Sequence, residues 1–256
     1  MKTMLTSIQN PKIQWVRSLL TQKKERYQEK AFVCEGIRLA EEAIHHQQHP
    51  ILALFSSSIS ERGKTLLSSC TCEKLEVATA LLDRISDTET SQGLLLVIPF
   101  PELSIPKKPD FCMVLDEIQD PGNFGTILRA AVAFGLQCIF YTPGSVDPYS
   151  PKVVRSAMGA HFQIPIQQAN VQKIIELSQS THLFLAEAQN GIACWDADLK
   201  QPISIVIGSE AFGASQAIQQ IPHQSLLIPM PGTMESLNAA MSANILLYEV
   251  ARQRVA

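Results

Sequence analysis

The stretch QSLLIPMPGTMESLNAAMSANILLYE, residues 224–249, combines a short apolar run, a loop rich in proline and glycine, and a long helix. The apolar run, residues 226–230, predicts a buried strand, and the prolines and glycine after it force the backbone out of the sheet. Ser236 is the predicted N-cap of the helix. The helix has apolar residues near helical spacing, at Met241, Ile245 and Tyr248. Such a loop exposes backbone amides and carbonyls at the carboxyl end of a strand, where open α/β sheets bind ligands, so we expect a small polar ligand at this loop.

Apolar runs of strand length dominate the second half of the chain, and they are near-continuous, as expected of buried parallel strands. They cover residues 111–118, 137–142, 182–187, 204–208 and 225–230. Helical stretches separate most of these runs, which predicts a doubly wound α/β domain over residues 111–256.

The first hundred residues differ from this pattern. Residues 1–100 alternate helix-like and strand-like segments and predict a small amino-terminal α/β domain. The stretch PFPELSIPKKPD, residues 99–110, places four prolines in twelve residues and resists both helix and sheet. We therefore assign residues 101–110 as the linker between the two domains.

Composition limits the class of protein. The chain is 46% hydrophobic, has no run of eighteen apolar residues and begins without a basic-then-apolar leader, so we expect a soluble cytoplasmic protein with no membrane partner. The six cysteines show no CxxC spacing and several lie in apolar runs, which favours reduced cysteines in the core. The histidines lack metal spacing and are expected at exposed helix ends. Asp116, Glu117 and Asp120 fit turns and caps, so we expect no metal.

Charge is unevenly distributed along the chain, whose formal net charge is −3. Residues 1–38 hold eight Lys or Arg and three Glu, a net charge of +5, which leaves −8 for the remainder. A basic face on an otherwise acidic protein steers a polyanion to one side. The alternative is an ordinary solvated helix, and charge alone leaves both open.

A second motif follows a predicted strand, in DEIQDPGNFGTILRAAVAFG, residues 116–135. A Pro-Gly-Asn-Phe-Gly turn precedes a helix, where Gly122 and Gly125 allow close approach or a positive φ and Asn123 can cap or contact a ligand. The motif is neither GxGxxG nor GxxxxGKS/T, which disfavours a nicotinamide dinucleotide or a nucleoside triphosphate. Arg129 is a lone cation in this apolar helix, either a surface residue or a phosphate ligand.

The third motif is SIVIGSEAFGAS, residues 204–215, where a buried strand ends at Gly208 and Glu210 follows among small residues. A carboxylate at the mouth of such a strand serves as a hydrogen-bond acceptor or base, or else starts a helix and is stabilised by the helix dipole. Ser236 and Asn238 present a hydroxyl and an amide beside the loop of the opening stretch. A cap and one polar contact are the simpler interpretation of that pair.

Taken in order, DPGNFGTILRAAVAFG, IVIGSEAFG and LLIPMPGTMESLNAAMSANILLYE resemble the three motifs of the SpoU (TrmH-like) RNA 2′-O-ribose methyltransferases of the SPOUT class. The resemblance covers residues 111–252, and residues 3–40 are similar to the family's small amino-terminal RNA-binding domain. It implies an α/β sheet whose carboxyl end is threaded into a deep trefoil knot, which periodicity does not reveal. It also implies a homodimer that methylates ribose in RNA. Ribosomal RNA is favoured by the two-domain arrangement, with transfer RNA as the alternative.

The resemblance also implies roles for single residues. The methyl donor S-adenosylmethionine is expected to lie bent in the knot, held mostly by backbone groups around Gly208, Ile228, Met230, Gly232 and Leu237. The polar or charged residues of the three motifs are the expected catalytic residues: Asn123, Arg129, Glu210, Ser236 and Asn238. The expected RNA-binding residues are basic: Lys12, Arg17, Lys23, Lys24, Arg38 and Arg155.

The implied reaction needs a base, because the ribose 2′-hydroxyl is a poor nucleophile and must lose its proton as it attacks the methyl group. Family accounts often give this role to the arginine, but an arginine with a pKa above about 12 is a poor proton acceptor. We expect Arg129 to grip the phosphate of the target nucleotide, in or beside a site that the partner subunit completes. Glu210 or water then takes the proton.

The motif at residues 204–215 departs from Gly-Asn-Glu-Gly-Glu-Gly, the pattern of many members. Ser209 stands in place of the asparagine and Phe212 in place of the second acid, which counts against a two-carboxylate mechanism. Two alternatives stay open: a non-catalytic RNA-binding or ribosome-assembly protein that keeps the knot, and a SPOUT enzyme that methylates a base nitrogen. The three motifs match the ribose branch better.

Overall fold

The computed structural model of the protein describes residues 4–255, which form two compact units. Unit 1 comprises the chain up to Glu102 together with Asp147–Phe162. Unit 2 comprises Leu103–Val146 and the chain from Gln163 onward. The segment Asp147–Phe162 belongs to unit 1 by its contacts, whereas the sequence placed it in the second domain. Among the described residues, none of the helices combines the length and apolar character needed to span a bilayer.

The helices and strands alternate along most of the chain. In chain order they are α1 (Pro11–Thr21), α2 (Lys23–Glu29), β1 (Ala31–Glu35), α3 (Ile37–His45), β2 (Leu52–Phe55), α4 (Glu61–Ser69), β3 (Glu73–Glu76), α5 (Thr79–Ile85), β4 (Leu94–Pro99), β5 (Phe111–Leu115), α6 (Pro121–Ala133), β6 (Cys138–Tyr141), α7 (Pro151–Ala157), β7 (Ile166–Gln168), α8 (Val171–Ser178), β8 (His182–Glu187), β9 (Ile192–Ala193), β10 (Ile203–Ile207), α9 (Gln216–Gln219), β11 (Gln224–Leu227) and α10 (Ala239–Val255).

Unit 1 is a four-stranded sheet in the order β1-β4-β2-β3, in which β4 runs antiparallel to both its neighbours and β2 is parallel to β3. Alternate residues of a strand point to opposite faces, and both faces are buried. In β4, Leu95 and Val97 belong to a core with α1 and α5, whereas Leu94, Leu96 and Ile98 belong to a core with α3 and α4. The strand-like segments expected at residues 32–34, 51–56 and 93–100 are confirmed as β1, β2 and β4. β3 and helices α4 and α5 were not predicted.

Arg26, which contributes to the basic amino-terminal segment, is buried rather than presented to solvent. Its Nε and Nη2 lie 2.7 and 2.6 Å from Oδ2 of Asp147, and Nη1 donates to the carbonyl of Leu19 at 2.7 Å. Tyr27 donates to the other oxygen of Asp147 at 3.2 Å. A buried ion pair with satisfied partners holds the structure together, so this charge is not available to a polyanion.

His161 is also buried, against the expectation that the histidines lie at exposed helix ends. Its Nε2 lies 2.7 Å from the carbonyl oxygen of Pro148, and the ring packs beside Phe32 and Tyr149. Burial lowers the pKa of His161 to about 4, so the ring is neutral at pH 7 and has a structural role. All six cysteines are free, and only Cys72 among them is not fully buried, which confirms reduced cysteines in the core.

Unit 2 is a seven-stranded sheet in the order β7-β6-β5-β10-β8-β11-β9, and every strand pair in it is parallel. Helices α8 and α9 share a buried core with one face of the sheet, while α10 packs against α6 and β10. The predicted parallel α/β sheet is therefore confirmed. From β5 the chain moves outward to β6 and β7 and then returns on the other side of β5, so the strand order reverses between β5 and β10.

Helix α10 is tied down at its carboxyl end. Nη1 of Arg254 donates to the carboxylate of Asp110 at 2.7 Å, and its Nη2 donates to the carbonyl of Gln201 at 2.7 Å. The side chain of Gln253 accepts from the N–H of Leu199 at 3.1 Å and is itself buried. These bonds fix the last turn of the helix to Asp110, directly before β5, and to the chain segment that precedes β10.

Candidate active site

Polar residues of the three motifs converge at the carboxyl ends of β5, β10 and β11. β5 and β10 are neighbours in the sheet, and they flank the point where the strand order reverses. Open α/β sheets bind ligands in the crevice outside the strand ends at such a point. The connections after these strands are therefore the place to look for chemistry.

Glu210, Asn123 and Asn238 form one hydrogen-bonded cluster in this crevice. Oε1 of Glu210 accepts from the side-chain amides of Asn123 and Asn238, the second at 2.7 Å. The backbone N–H of Ala239, the first residue of α10, donates to the same oxygen at 3.3 Å. The sequence predicted all three cluster residues, and the structure brings them together.

The backbone fixes the orientation of both amides. Oδ1 of Asn238 accepts from the N–H groups of Ala240 and Met241 at 2.9 and 3.2 Å, and backbone N–H groups only donate. Nδ2 of Asn238 therefore faces Glu210 and Oδ1 of Asn123, 3.0 Å away, which turns Nδ2 of Asn123 toward Glu210. Three donors occupy Oε1 of Glu210, so Oε2 is left to accept a proton, and no described residue donates to it.

A buried carboxylate links two of the three connections that carry the cluster, those after β5 and β10. Asp116, 1% exposed, follows β5 and accepts from the hydroxyl of Thr142 at 2.7 Å and the N–H of Ser215 at 2.6 Å. The Thr142 hydroxyl in turn accepts from the N–H of Glu117 at 3.0 Å. Because these partners follow β5, β6 and β10, Asp116 holds three strand ends in place. Within residues 4–255 no three His, Cys, Asp or Glu side chains are grouped to hold a metal ion.

The connection after β10, residues 208–215, contains a tight hairpin that we call the β10 hairpin. Ser209 and Gly213 exchange two backbone hydrogen bonds, at 2.8 and 2.9 Å, and Gly213 has a φ of 70°. Oγ of Ser209 donates to the carbonyl of Gly213 at 3.2 Å and accepts from the N–H of Phe212 at 3.3 Å. A Cβ on Gly208 would lie 2.2 Å from the carbonyl carbon of Gly213, so this position requires glycine. The hairpin thereby fixes the backbone that carries the carboxylate of Glu210.

The connection after β11, residues 228–238, is called the β11 loop and differs from the prediction. β11 ends at Leu227, so the predicted strand over residues 226–230 is too long. α10 begins at Ala239 and is capped by Asn238, because that side chain, not Ser236, accepts from the first turn of the helix. Within the described structure, residues 228–237 form no hydrogen bonds, which leaves their backbone amides and carbonyls open.

A cavity of about 170 Å³ is lined by the ends of β8 and β10, the β11 loop and the start of α10. Four of the five predicted cofactor residues line it: Gly208, Ile228, Met230 and Leu237. Gly232 does not, and no atom lies near the position its Cβ would take, whereas Ser236 does line the cavity. The sequence analysis missed two lining residues: Glu187, the last residue of β8, lies outside the three motifs, and Ser242 on α10 lies in the third motif but was not assigned a role.

Residues 121–125, which were predicted to form a turn before the helix, instead form the first turn of α6. The Pro-Gly-Asn-Phe-Gly segment is already helical, with its proline at the first helical position and Asp120 as N-cap, accepting from the N–H of Asn123 at 2.8 Å. Neither Gly122 nor Gly125 has a positive φ, so of the two roles predicted for these glycines the positive φ is wrong, and close approach to a ligand stays a prediction. Asn123 reaches Glu210 from the helix itself.

Arg129 lies outside the cluster. It follows Asn123 by six residues on α6, which places it about 9 Å further along the helix axis. Its side chain is exposed and forms no ion pair or hydrogen bond with any described residue. A single chain therefore does not bring Arg129 to Glu210.

A second cavity, of about 210 Å³, shares Ser209, Glu210 and Ala239 with the first. It is lined further by Phe212 and Ala211 of the β10 hairpin and by residues after β5 and on α6: Glu117, Ile118, Gln119, Asp120 and Asn123. Glu210 thus borders two adjoining cavities, an arrangement suited to a reaction between two ligands.

The predicted RNA-binding residues of unit 1 divide into two classes. Two are paired with acids: Lys12 with Glu73, and Arg155 with Asp87. Four are exposed and have no ion-pair partner among the described residues: Arg17, Lys23, Lys24 and Arg38. Arg38 and Arg155 line a common cavity of about 230 Å³.

Comparison with known proteins places these features in context. Residues 110–248 match the SpoU rRNA Methylase family, and residues 10–96 match the MRM3-like substrate binding domain. The chain is 29% identical to the 23S rRNA (guanosine(2553)-2′-O)-methyltransferase RlmP of Bacillus subtilis, over 96% of this chain and 98% of that protein. It is 30% identical to the 23S rRNA (uridine(2479)-2′-O)-methyltransferase of Streptomyces viridochromogenes, over 96% and 91%. The crystal structure of the SpoU methyltransferase AviRb from Streptomyces viridochromogenes with AdoMet has a TM-score of 0.87 at 28% identity, covering 97% of this chain and 99% of that one.

Proposed function

Because the chain belongs to the SpoU rRNA methylase family, we propose that it transfers a methyl group from S-adenosylmethionine to a ribose 2′-hydroxyl of ribosomal RNA. The observation that carries this proposal is the cluster of Asn123, Glu210 and Asn238, which stands where the strand order reverses and borders two cavities. Relatives that align over nearly their whole length are named as 2′-O-methyltransferases of 23S rRNA.

The lining of the 170 Å³ cavity fits the methyl donor chemically. Leu226, Ile228 and Leu237 offer aliphatic surface to an adenine ring, and the carboxylate of Glu187 accepts hydrogen bonds from hydroxyl or ammonium groups. The unbonded amides of the β11 loop add donors and acceptors of the kind that hold a polar ligand. S-adenosylmethionine, when bound, supplies a methyl group on a positively charged sulfur, from which the ribose oxygen takes it.

The cluster supplies the base. Its three donors hold Oε1 of Glu210 and keep the carboxylate in one orientation, so Oε2 is the atom that accepts the proton of the 2′-hydroxyl. Fixed orientation of the reacting groups contributes much of the rate in such a transfer. Arg129 has no acid to neutralise it within the described chain, which suits the grip on a phosphate that we assign to it.

A homodimer is the second part of the proposal. α10 buries Ala243, Leu246 and Leu247, whereas Met241, Ile245 and Tyr248 are 54%, 37% and 58% exposed and lie on one stripe at spacings of four and three residues. A second copy of the chain that covers this stripe accounts for its exposure. Because α6 packs against α10, the same association offers Arg129 to the partner's site. The trefoil knot belongs to this proposal too, on the strength of the resemblance.

We assign the contacts with the phosphate backbone of the RNA to four exposed side chains that have no ion-pair partner among the described residues: Arg17, Lys23, Lys24 and Arg38. The match of residues 10–96 to a substrate-binding domain supports this assignment. Lys12 and Arg155 contribute less, because each already has a carboxylate partner. Neutralised phosphates make affinity fall with salt, so binding to RNA is expected to weaken steeply as the salt concentration rises.

Ribose-methylation maps of RNA from cells with and without the gene test the proposal. We expect one position in ribosomal RNA to lose its methyl group, and the purified protein to restore it on the unmethylated transcript as a nuclease-resistant dinucleotide. A methylated base nitrogen in the product would contradict transfer to ribose. Binding of S-adenosylmethionine by calorimetry without transfer to any cellular RNA would instead favour a non-catalytic RNA-binding protein.

A further inference from the structure

We propose that Phe212 is a stacking platform for the base of the nucleotide that enters the 210 Å³ cavity, an inference that rests on the proposed function. The Phe212 side chain is 87% exposed and lines that cavity together with Asn123 and Glu210. Among the aromatic side chains of the described residues it is the most exposed, followed by Tyr248 at 58%. Proteins that recognise unstacked RNA bases hold them on such rings.

The β10 hairpin presents this ring on a fixed backbone. The N–H of Phe212 donates to Oγ of Ser209, and the same hydroxyl donates to the carbonyl of Gly213. Ser209 and Phe212 are two of the three positions at which this motif departs from the common pattern of the family, and a hydrogen bond joins them. The serine thus helps to hold the loop that displays the ring, so stacking requires little ordering of the backbone.

The charges around the cavity select a neutral group over a phosphate. Glu117, Asp120 and Glu210 place three carboxylates in its lining, which contains no Lys or Arg. These acids repel phosphate oxygens, whereas base N–H groups and ribose hydroxyls donate to them. The cavity therefore suits the base and sugar of a nucleotide whose phosphates remain outside.

The position of Phe212 would place the stacked nucleobase next to the proposed site of methyl transfer. The residue lies two positions after Glu210 in one hairpin, and Glu210 borders both cavities. A base stacked on Phe212 is thus held beside the cluster, and its ribose is confined near Oε2 of Glu210. Phe212 contributes to RNA recognition and leaves the cavity for the methyl donor untouched, since it does not line it.

Three variants of the full chain test the platform. Phe212→Leu removes the ring but keeps an apolar side chain, Phe212→Trp keeps an aromatic face, and Trp195→Leu is the control. Trp195 is 55% exposed and lines neither cavity. The measurement is the transfer of tritiated methyl groups from S-adenosylmethionine into unmethylated 23S rRNA transcript, together with the affinity for S-adenosylmethionine and the sedimentation behaviour of each variant.

We expect Phe212→Leu to lower kcat/KM for the transcript about tenfold, with unchanged affinity for S-adenosylmethionine, and Phe212→Trp and Trp195→Leu to stay near wild type. The indole introduced by Phe212→Trp also reports stacking directly. Its emission, above the background of Trp15 and Trp195, is expected to be quenched by the transcript in the presence of S-adenosylhomocysteine.

Several outcomes overturn the platform. Phe212→Leu that keeps kcat/KM within twofold of wild type shows that the ring is dispensable. A fall in affinity for S-adenosylmethionine shows a distorted hairpin instead, and a smaller oligomer in sedimentation shows that Phe212 packs on a second copy of the chain. If the wild type transfers no methyl group, the proposed function fails. The fluorescence of Phe212→Trp then tests base stacking independently of methyl transfer, and an emission that the transcript does not quench overturns the stacking platform.

Discussion

The β10 hairpin and the β11 loop border the same cavity and are built in opposite ways. In the hairpin, two backbone hydrogen bonds, the hydroxyl of Ser209 and the crowded Gly208 hold the backbone in place. In the β11 loop, residues 228–237 form no hydrogen bonds within the described structure, and the loop is held at its two ends. Both are rich in small residues or turn formers, so composition alone does not separate them.

The difference suits the two segments to different roles in the proposed reaction. In the proposed reaction the group that takes the proton must stay in one orientation, and the hairpin and the cluster supply that rigidity to Glu210. The groups that hold a polar ligand need free donors and acceptors, which the β11 loop has because its backbone is unpaired. A segment with few internal bonds opens readily, so the loop is expected to gain its order from the ligand.

The substitution with the largest expected effect on methyl transfer is Glu210→Gln, in the β10 hairpin. The glutamine oxygen can still accept from the two asparagine amides, but its Nε2 replaces the oxygen that takes the proton. We expect kcat to fall by roughly 10²–10⁴ with unchanged affinity for S-adenosylmethionine. Steady-state methyl transfer and calorimetry measure the two quantities. A normal kcat for Glu210→Gln, together with a lost kcat for Arg129→Lys, would assign the base to the arginine instead.

A matched pair of glycine substitutions tests the two backbones. Gly208→Ala places a Cβ 2.2 Å from backbone atoms of the hairpin, so we expect a loss of about 3 kcal/mol in the free energy of unfolding and weaker binding of the methyl donor. Gly232→Ala meets no atom within 4 Å and is expected to change stability by less than about 0.5 kcal/mol. Denaturant unfolding of both variants provides the comparison. Equal losses would show that the β11 loop is as tightly built as the hairpin.

Ligand binding should affect the two segments unequally. At a concentration of S-adenosylhomocysteine about 100 times its Kd, we expect hydrogen exchange of the amides around Met234, in the β11 loop, to slow by up to about 100-fold. The reason is that the bound ligand stabilises the ordered conformation of this loop. The amides of Ser209 and Gly213 are already bonded and should change less. Exchange followed by mass spectrometry distinguishes them. Slow exchange in the β11 loop without ligand would contradict the proposed division of work.

A pair of serine substitutions is expected to have the smallest effect. Ser209→Ala removes a hydroxyl that makes two bonds in the hairpin and should cost about 1 kcal/mol in the free energy of unfolding. Ser236→Ala removes a hydroxyl without a hydrogen bond in the described structure and should leave that energy unchanged. Thermal unfolding of the two variants measures the contrast, and a larger loss for Ser236→Ala would identify an unrecognised contact.

Much of the fold and of the cluster could be predicted from the sequence. Parallel strands leave continuous apolar runs, which predicted the sheet. Asn123, Glu210 and Asn238 were predicted from the resemblance to the three family motifs, and the structure brings them together after β5, β10 and β11. The N-cap was placed two residues early, at Ser236. Ser and Asn are both good caps, and only the contact of Asn238 with Glu210 decides between them.

Other features depend on tertiary contacts that leave no local pattern. From the sequence, Arg26 is indistinguishable from a surface charge. Its partner Asp147 is 121 residues away in sequence, so only the structure reveals the pair. Glu187 ends an ordinary buried strand, and nothing around it marks a cavity. The distance of Arg129 from the cluster leaves no local pattern either, and only the resemblance, with its expectation of a site completed by a partner subunit, concerned the position of this residue.

Both ends of α10 are fastened, the first turn through Asn238 and the last through Arg254. At 1.5 Å per residue its seventeen residues span about 25 Å, and each residue added or removed rotates one end against the other by about 100°. The helix therefore behaves as a spacer of set length. Insertions and deletions among homologous chains should accumulate in surface turns such as the one after α8, while the residue count from Asn238 to Arg254 stays constant.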